Sequence, residues 1–358
     1  MKICTRFRAM LLMLLVVVFF TCASVASTNL KVMTYNVNEG TDFGPIINVL
    51  TNGGDFPTAV DQTIGEVLSS NPGLRAQLIA KEIAGAQADL VGLQEAAVWN
   101  SPAIPYGGTL DLLQLILGPP LNLGQQYTIV IAVPEFQIDI TSLGVSFTDR
   151  DVILARTDLL NSGALTYTAK QGHYNALVPL PAFAPYLPAT SITRGWAYVD
   201  AKLNGTAFRF ITTHLEDGTN SISPIFALVQ ALQEVQLVGG PASTVFPVII
   251  AGDFNTIAND PLSPTFLTYS FMLGNGFTDA WRRTHPFLVF GGATCCQADA
   301  DLTILHSDLT QRLDQVFTRG HVSVLGAQLV GNHLDFSPDG NSWPSDHAAV
   351  ESELQVGP

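Results

Sequence analysis

Eight polar residues each close an apolar stretch of this chain: Asn36, Glu95, His214, Asp253, Asn255, Asp314, Asp346 and His347. A single acid in such a place is ordinarily a solvated turn residue. Eight of them together offer carboxylates, amides and imidazoles at strand ends that long-range pairing could bring to one rim. Oxygen donors of this kind suit a hard cation, Mg²⁺, Mn²⁺ or Ca²⁺, rather than a soft one. The acids and imidazoles also supply groups for general acid and base chemistry. There is no glycine-rich phosphate loop and no serine in a nucleophile elbow, which disfavours an acyl-serine hydrolase. Paired acids alone would serve a glycosidase, but that chemistry needs neither the two imidazoles nor the two amides.

The elements that must position these groups are legible from periodicity. Leu30–Tyr35 alternates as a strand leading to Asn36, and Asp89–Gln94 is an apolar strand ending at Glu95. Leu74–Ala88 carries the apolar stripe of a helix in Leu74, Leu78, Ile79, Ile83 and Ala86. Strands are expected at Tyr127–Ala132 and Val152–Ala155. Trp196–Leu203 and Ala207–Thr213 form a hairpin about Asn204-Gly205, a strong turn dipeptide. A second helix spans Ile225–Val238, and Val248–Gly252 is a buried strand feeding Asp253. Residues two apart on an extended chain share a side, so Asp253 and Asn255 are expected to point at one spot. Gln311–Thr318 and Ala348–Leu354 complete the set. Asn38–Asn71 and His173–Thr193, rich in Gly, Pro, Ser and Thr, read as long loops over the site.

Residues 1–26 have the layout of a secretory signal peptide: Lys2, Arg6 and Arg8, an apolar run from Met10 to Phe20, then Ser24-Val25-Ala26 as a cleavage site. An uncleaved anchor is the alternative. The expectation is a secreted or periplasmic protein with one domain over residues 27–358 and no later membrane-spanning stretch. Asp and Glu number 30 against 16 Lys and Arg, giving a net charge of −14. A surface this acidic repels polyanions at long range, which disfavours nucleic acid as a partner. A metal-dependent nuclease stays in view, because the cation supplies positive potential locally. Past the leader only Cys295 and Cys296 remain, and they fit either a vicinal disulfide or two thiols. Nothing in the sequence speaks to oligomeric state.

Six motifs occur in order: Met33-Thr34-Tyr35-Asn36, Val91-Gly92-Leu93-Gln94-Glu95, Thr213-His214-Leu215, Gly252-Asp253-Phe254-Asn255, Arg312-Leu313-Asp314 and Ser345-Asp346-His347. The series resembles the endonuclease/exonuclease/phosphatase superfamily, a deoxyribonuclease I-like group that also includes AP endonucleases, sphingomyelinases and inositol-polyphosphate phosphatases. The resemblance covers nearly all of the chain after the leader. It implies an α/β four-layer sandwich: two mostly antiparallel sheets face to face, helices outside, the site at one rim. It implies a metal held by Glu95 with Asn36 beside it, and Asp346 touching a metal directly or through water. Asp253 would orient or deprotonate the attacking water, and Asn255 would donate to the phosphate. His347 would stand at the scissile phosphate, oriented by Asp314. His214 resembles the second imidazole of the deoxyribonuclease and sphingomyelinase branches, a candidate general acid absent from AP endonucleases.

Arg194 resembles a phosphate-contacting arginine, with a surface salt bridge as the plain alternative. Asp149, or Asp151 in its place, lies near an acid that the family pairs with the second histidine. His173, His285, His306, His321 and His333 read as surface or loop residues. The chain departs from the better-known branches in lacking a basic DNA-binding face and a clear lipid-inserting aromatic hairpin. The expected activity is a divalent-metal-dependent phosphoesterase, favouring a diester over a monoester because a second histidine would protonate a leaving alkoxide. A nuclease, a sphingomyelinase-like phospholipid phosphodiesterase and a catalytically inactive protein binding a partner through the same cleft are the alternatives.

Overall fold

The structure, a computed structural model, describes residues 27–105, 107–179, 191–218, 224–288, 290–298, 300–337 and 340–357. The expected leader lies outside them. Among the described residues no helix is long and apolar enough to cross a membrane.

Two large sheets form. The eight-stranded sheet runs Val322–Val330, Ala349–Val356, Thr28–Asn36, Leu90–Gln94, Val145–Arg156, Val98–Asn100 and Thr109–Asp111, with Tyr127–Ile140 also paired to Val145–Arg156. The six-stranded sheet runs Thr278–Asp279, Asp314–Arg319, Val248–Asp253, Thr206–Thr213, Gly195–Leu203 and Leu165–His173. Pairing is antiparallel except for Thr28–Asn36 with Leu90–Gln94 and Thr206–Thr213 with Val248–Asp253. Those two parallel pairs send strand ends from the middle of both sheets to one rim. The architecture is the expected α/β sandwich of two sheets flanked by helices.

Period-two alternation sorts the side chains into layers. Leu30 and Val32 join Leu90, Val199, Phe208, Phe210, Ile249, Ala251 and Val316 in the core between the sheets. The intervening Met33, Tyr35, Val91 and Leu93 face helix Pro72–Ala86 through Ile79 and Ile83. Ile211, Val248 and Ile250 face the other helical layer through Leu237, Tyr269 and Met272. The face that is apolar deep in the core turns polar toward the rim. Thr34 donates to Gln94 on the neighbouring strand at 3.0 Å, and Gln94 donates to Thr212 of the other sheet at 2.8 Å. One position further along the same faces stand Asn36, His214 and Asp253.

Close approach of the chains fixes one glycine. A Cβ on Gly252 would lie 2.2 Å from the Thr213 carbonyl oxygen. Gly252→Ala should therefore lower stability by about 1–3 kcal/mol, as overpacked cores do. Urea unfolding checks this, and an unchanged midpoint would contradict it.

Residues 38–71 are not one long loop. They hold helices Gly44–Asn52 and Phe56–Ser69. Pro45 and Pro57 fall in first turns, where a missing N–H costs nothing, and Asp55 accepts from the Thr58 amide as a cap. Phe56, Ala59, Val60, Ile64 and Val67 then bury one face. The expected loop His173–Thr193 contains two short paired strands, Val178–Pro179 and Ser191–Ile192, and residues 180–190 between them lie outside the described set. The Asn204-Gly205 hairpin forms as expected, both residues having positive φ.

Candidate active site

Strand register assembles the centre. Asn36 pairs with Gln94, so Glu95 emerges beside it, in a left-handed conformation at φ 58°. Asp253 pairs with Asp314 on one side and bridges His214 on the other. Ser345 ties the last motif to the first by donating to the Asn36 carbonyl at 2.8 Å.

The Asn36 amide nitrogen donates to Glu95 Oε1 at 2.7 Å and to Asp253 Oδ2 at 3.0 Å. Its oxygen accepts from the Asn38 amide at 3.0 Å. The opposite amide orientation would set that oxygen against two carboxylates, so the chemistry fixes this one. Glu95 Oε2 also accepts from the Glu39 amide at 3.1 Å. Burial first, and then the neighbouring charges of Asp346 and Asp149, push the Glu95 carboxyl up to about 7. A divalent cation here would offset that repulsion, and the carboxylates of Glu95 and Asp346 offer it oxygen donors, with Asn36 holding Glu95 in place through its amide nitrogen. This pair of carboxylates fits the hard cation expected from sequence.

Asp253 lies between two imidazoles. Its Oδ2 is 3.8 Å from His347 Nδ1 and 3.7 Å from His214 Nε2. Burial, then the Asp314 charge, raise its carboxyl to about 6, against the pull of His347 and of hydrogen bonds from Asn255 and Asn36. His347 Nδ1 lies 2.8 Å from Asp314 Oδ2. Burial opposes the His347 cation, but Asp314, Asp346 and Asp253 together overcome it and hold the imidazole well above its usual value.

His214 has the opposite environment. Arg194 Nη1 is 3.1 Å from its Nδ1. A guanidinium only donates, so Nδ1 accepts and the proton of the neutral ring sits on Nε2. Burial, then the Arg194 charge, then His347, push its pKa well below the ordinary histidine value. Asn255 Nδ2, 3.1 Å from His214 Nε2, is committed to the Leu215 carbonyl at 2.9 Å.

Several expectations change in detail. Asp253 and Asn255 do not share a face by strand alternation. The strand ends at Asp253 and Asn255 turns left-handed at φ 48°, placing its amide against His214 and its backbone N–H 2.8 Å from Asp253 Oδ1. Arg194 is not a surface salt bridge. It is largely buried, with Nη1 at 3.3 Å from Asp149 and Nε at 3.4 Å from Glu216. Asp149 therefore reaches His214 through Arg194 rather than directly, and Asp151 is buried with neither oxygen hydrogen-bonded.

Glu95, Arg194, His214, Asp253, Asn255, Asp346 and His347 all line one cavity of about 530 Å³, while Asn36 and Asp314 support it from behind. The five other histidines do not line it. Cys295 and Cys296 do, joined as a vicinal disulfide, with Cys296 Sγ 3.8 Å from His347 Nε2. Asp253, Asp314 and His347 also lie close enough to hold an ion, whereas Cys295 and Cys296, near His347, do not offer thiolates, their sulfurs being joined to each other. In the first group the His347–Asp314 hydrogen bond already occupies the facing atoms.

Three supporting residues have roles that the sequence does not assign, one of them Thr294, whose segment Thr294–Gln297 reads from sequence as a pocket wall. Arg75, from the first turn of helix Pro72–Ala86, reaches the Val37 and Asn38 carbonyls at 3.1 and 3.0 Å and pins the loop after Asn36. An arginine inside an apolar stripe was the available signal. The Thr294 hydroxyl accepts from the Leu313 and Asp314 amides at 3.0 and 3.1 Å. Glu216 anchors Arg194. Neither Thr294 nor Glu216 has a periodicity that marks it.

The Endonuclease/Exonuclease/phosphatase family profile matches residues 33–347. No curated protein sequence matches the chain. Among solved structures, a family protein from Bacteroides thetaiotaomicron is similar with a TM-score of 0.58 at 16% identity, covering 93% of this chain and 100% of that one. One from Beutenbergia cavernae has a TM-score of 0.53 at 19% identity, covering 92% and 72%. A mannosyl-6-phosphatase from Bacteroides thetaiotaomicron has a TM-score of 0.52 at 16% identity, covering 91% and 99%. At such identities the likeness is one of fold. With the profile spanning nearly the whole described chain and its six motifs meeting in one cleft, this protein belongs to the endonuclease/exonuclease/phosphatase family.

Proposed function

We propose that this protein is a divalent-metal-dependent hydrolase of phosphodiesters, acting outside the cell or in the periplasm. The observation that carries the reading is the contrast between its two imidazoles. Both face Asp253, one hydrogen-bonded to Asp314 and held cationic by the surrounding acids, the other held neutral by burial and by the Arg194 guanidinium against its Nδ1. A cation bound by Glu95 and Asp346, with Asn36 alongside, would supply Lewis-acid stabilisation of charge on the phosphate. Mg²⁺ is the first choice, with Mn²⁺ or Ca²⁺ as substitutes.

The chain's own groups then divide the work. Asp253, ionised above about pH 6, orients the attacking water and accepts its proton in an in-line displacement. The Nε2–H of His214, and the one Asn255 N–H that Leu215 does not take, donate to phosphate oxygens. His347, charged and oriented by Asp314, gives a proton to the leaving oxygen. This reverses the role expected from sequence, in which His214 was the general acid. An imidazole whose Nδ1 accepts from a guanidinium has no acidic proton to give at neutral pH. Secretion rests on the leader pattern in residues 1–26.

The nuclease reading has less support. Arg194 is the one Lys or Arg among the described residues lining the cleft, and it is already ion-paired. An inactive binding protein would not need the full set of acids that the cleft retains. Hydrolysis of bis-p-nitrophenyl phosphate by the purified protein tests the proposal: turnover should require Mg²⁺ and stop with EDTA. Turnover unaffected by EDTA, or none on this diester beside hydrolysis of monoesters, would overturn it.

A further inference from the structure

We propose that the cleft selects an amphiphilic phosphodiester, one whose organic group beyond the scissile phosphate is an aliphatic chain. This deepens the diesterase reading and rests on it. The polar residues described above form only the floor of the cavity. One wall is apolar: Phe43, Ile46 and Ile47 at the start of helix Gly44–Asn52, Phe136 and Ile138 on strand Tyr127–Ile140, and Ile192. None of these six side chains carries a polar atom.

The wall is continuous and braced from behind. Phe43, Ile46, Phe136 and Ile138 belong to one hydrophobic cluster with Trp99 and Phe147. The Phe43 ring lies 5.7 Å from Trp99 and 5.2 Å from Phe147, and Phe136 lies 6.4 Å from Phe147. Yet Phe43 and Phe136 are only half-buried and Ile47 is 39% exposed, so apolar surface faces the cleft. A braced apolar face beside a charged floor is the layout of a ligand pocket, with convergent polar groups fixing one end of the ligand.

Charge excludes the alternatives. Arg194 is engaged by Asp149, Glu216 and His214, while Glu39, Asp42 and Asp217 also border the cavity. A substrate with further phosphates would set them against these carboxylates. A sugar would place hydroxyls on a wall with no side-chain partner for them, at the cost of unmade hydrogen bonds. An alkyl chain loses nothing there, and each methylene it buries strengthens binding about three- to four-fold.

The test is kcat/KM along a series of p-nitrophenyl alkyl phosphates, which share one leaving group, from methyl to hexyl, below their aggregation limits. The expected rise from methyl to hexyl is about 30-fold or more. Ile47→Asp and Phe136→Ser should each bring the hexyl-to-methyl ratio toward one. A ratio near one in the unaltered protein, or a preference for thymidine phosphate esters carrying a second phosphate, would overturn the proposal and leave the diesterase reading intact. Absence of turnover on every diester would instead sink the diesterase reading. In that case calorimetric binding of hexylphosphonate against methylphosphonate decides the wall: at least about tenfold tighter binding of the hexyl compound supports it, and equal affinities overturn it.

Discussion

His347→Ala should lower kcat/KM on bis-p-nitrophenyl phosphate by about 10²-fold and on an alkyl diester with a poor leaving group by about 10⁴-fold, the range general acid catalysis spans. The difference follows from chemistry. p-Nitrophenolate departs without a proton, whereas an alkoxide must receive one. His347 is the imidazole placed to give it, because Asp314 at 2.8 Å and the further charges of Asp346 and Asp253 keep it protonated. His214→Ala should cost both substrates equally, since a neutral Nε2–H serves phosphate oxygens whatever the leaving group. Leaving-group series measured on both variants check this. A steeper dependence in His214→Ala than in His347→Ala would return the acid role to His214.

Glu95→Gln should reduce turnover at limiting Mg²⁺ by about 10²- to 10³-fold, on the scale of removing one group that stabilises transition-state charge. Glutamine keeps the size of the side chain and one of the two acceptor oxygens, so it retains the hydrogen bond from Asn36 Nδ2 or the one from the Glu39 amide, which reach different carboxylate oxygens. The fold is thus retained while one negative charge is lost from the cation's surroundings. The loss should appear as a raised Mg²⁺ requirement, partly recovered at high Mn²⁺. A variant with an unaltered metal requirement would remove Glu95 from the metal's ligands.

Much of this site was legible because strand periodicity dictates it. Leu30, Val32, Thr34 and Asn36 share a face, as do Ile249, Ala251 and Asp253, so an apolar strand ending in a polar residue on its core face must deliver that residue to the rim between the sheets. What was illegible falls into two kinds. Helices Gly44–Asn52 and Phe56–Ser69 were hidden by composition, their glycines and prolines outweighing a stripe that Phe56, Val60, Ile64 and Val67 spell at helical spacing. This matters to function, because the first of these helices carries Ile46 and Ile47 into the cleft. The second kind is partner choice among buried charges. Asp149 and His214 are near in space, yet Arg194, from the start of strand Gly195–Leu203, stands between them. No spacing rule reports which of two acids a distant guanidinium will meet, and that meeting decides the proton inventory of the site.

The most direct test of one shared metal centre is anomalous diffraction from crystals of the protein soaked with Mn²⁺ and a non-hydrolysable phosphate ester. An anomalous peak is expected within bonding distance of the Glu95 carboxylate, close to Asp346, with the phosphate between it and the two imidazoles. A peak seated instead among Asp253, Asp314 and His347, or on the Cys295–Cys296 wall, with none at Glu95, would contradict that expectation.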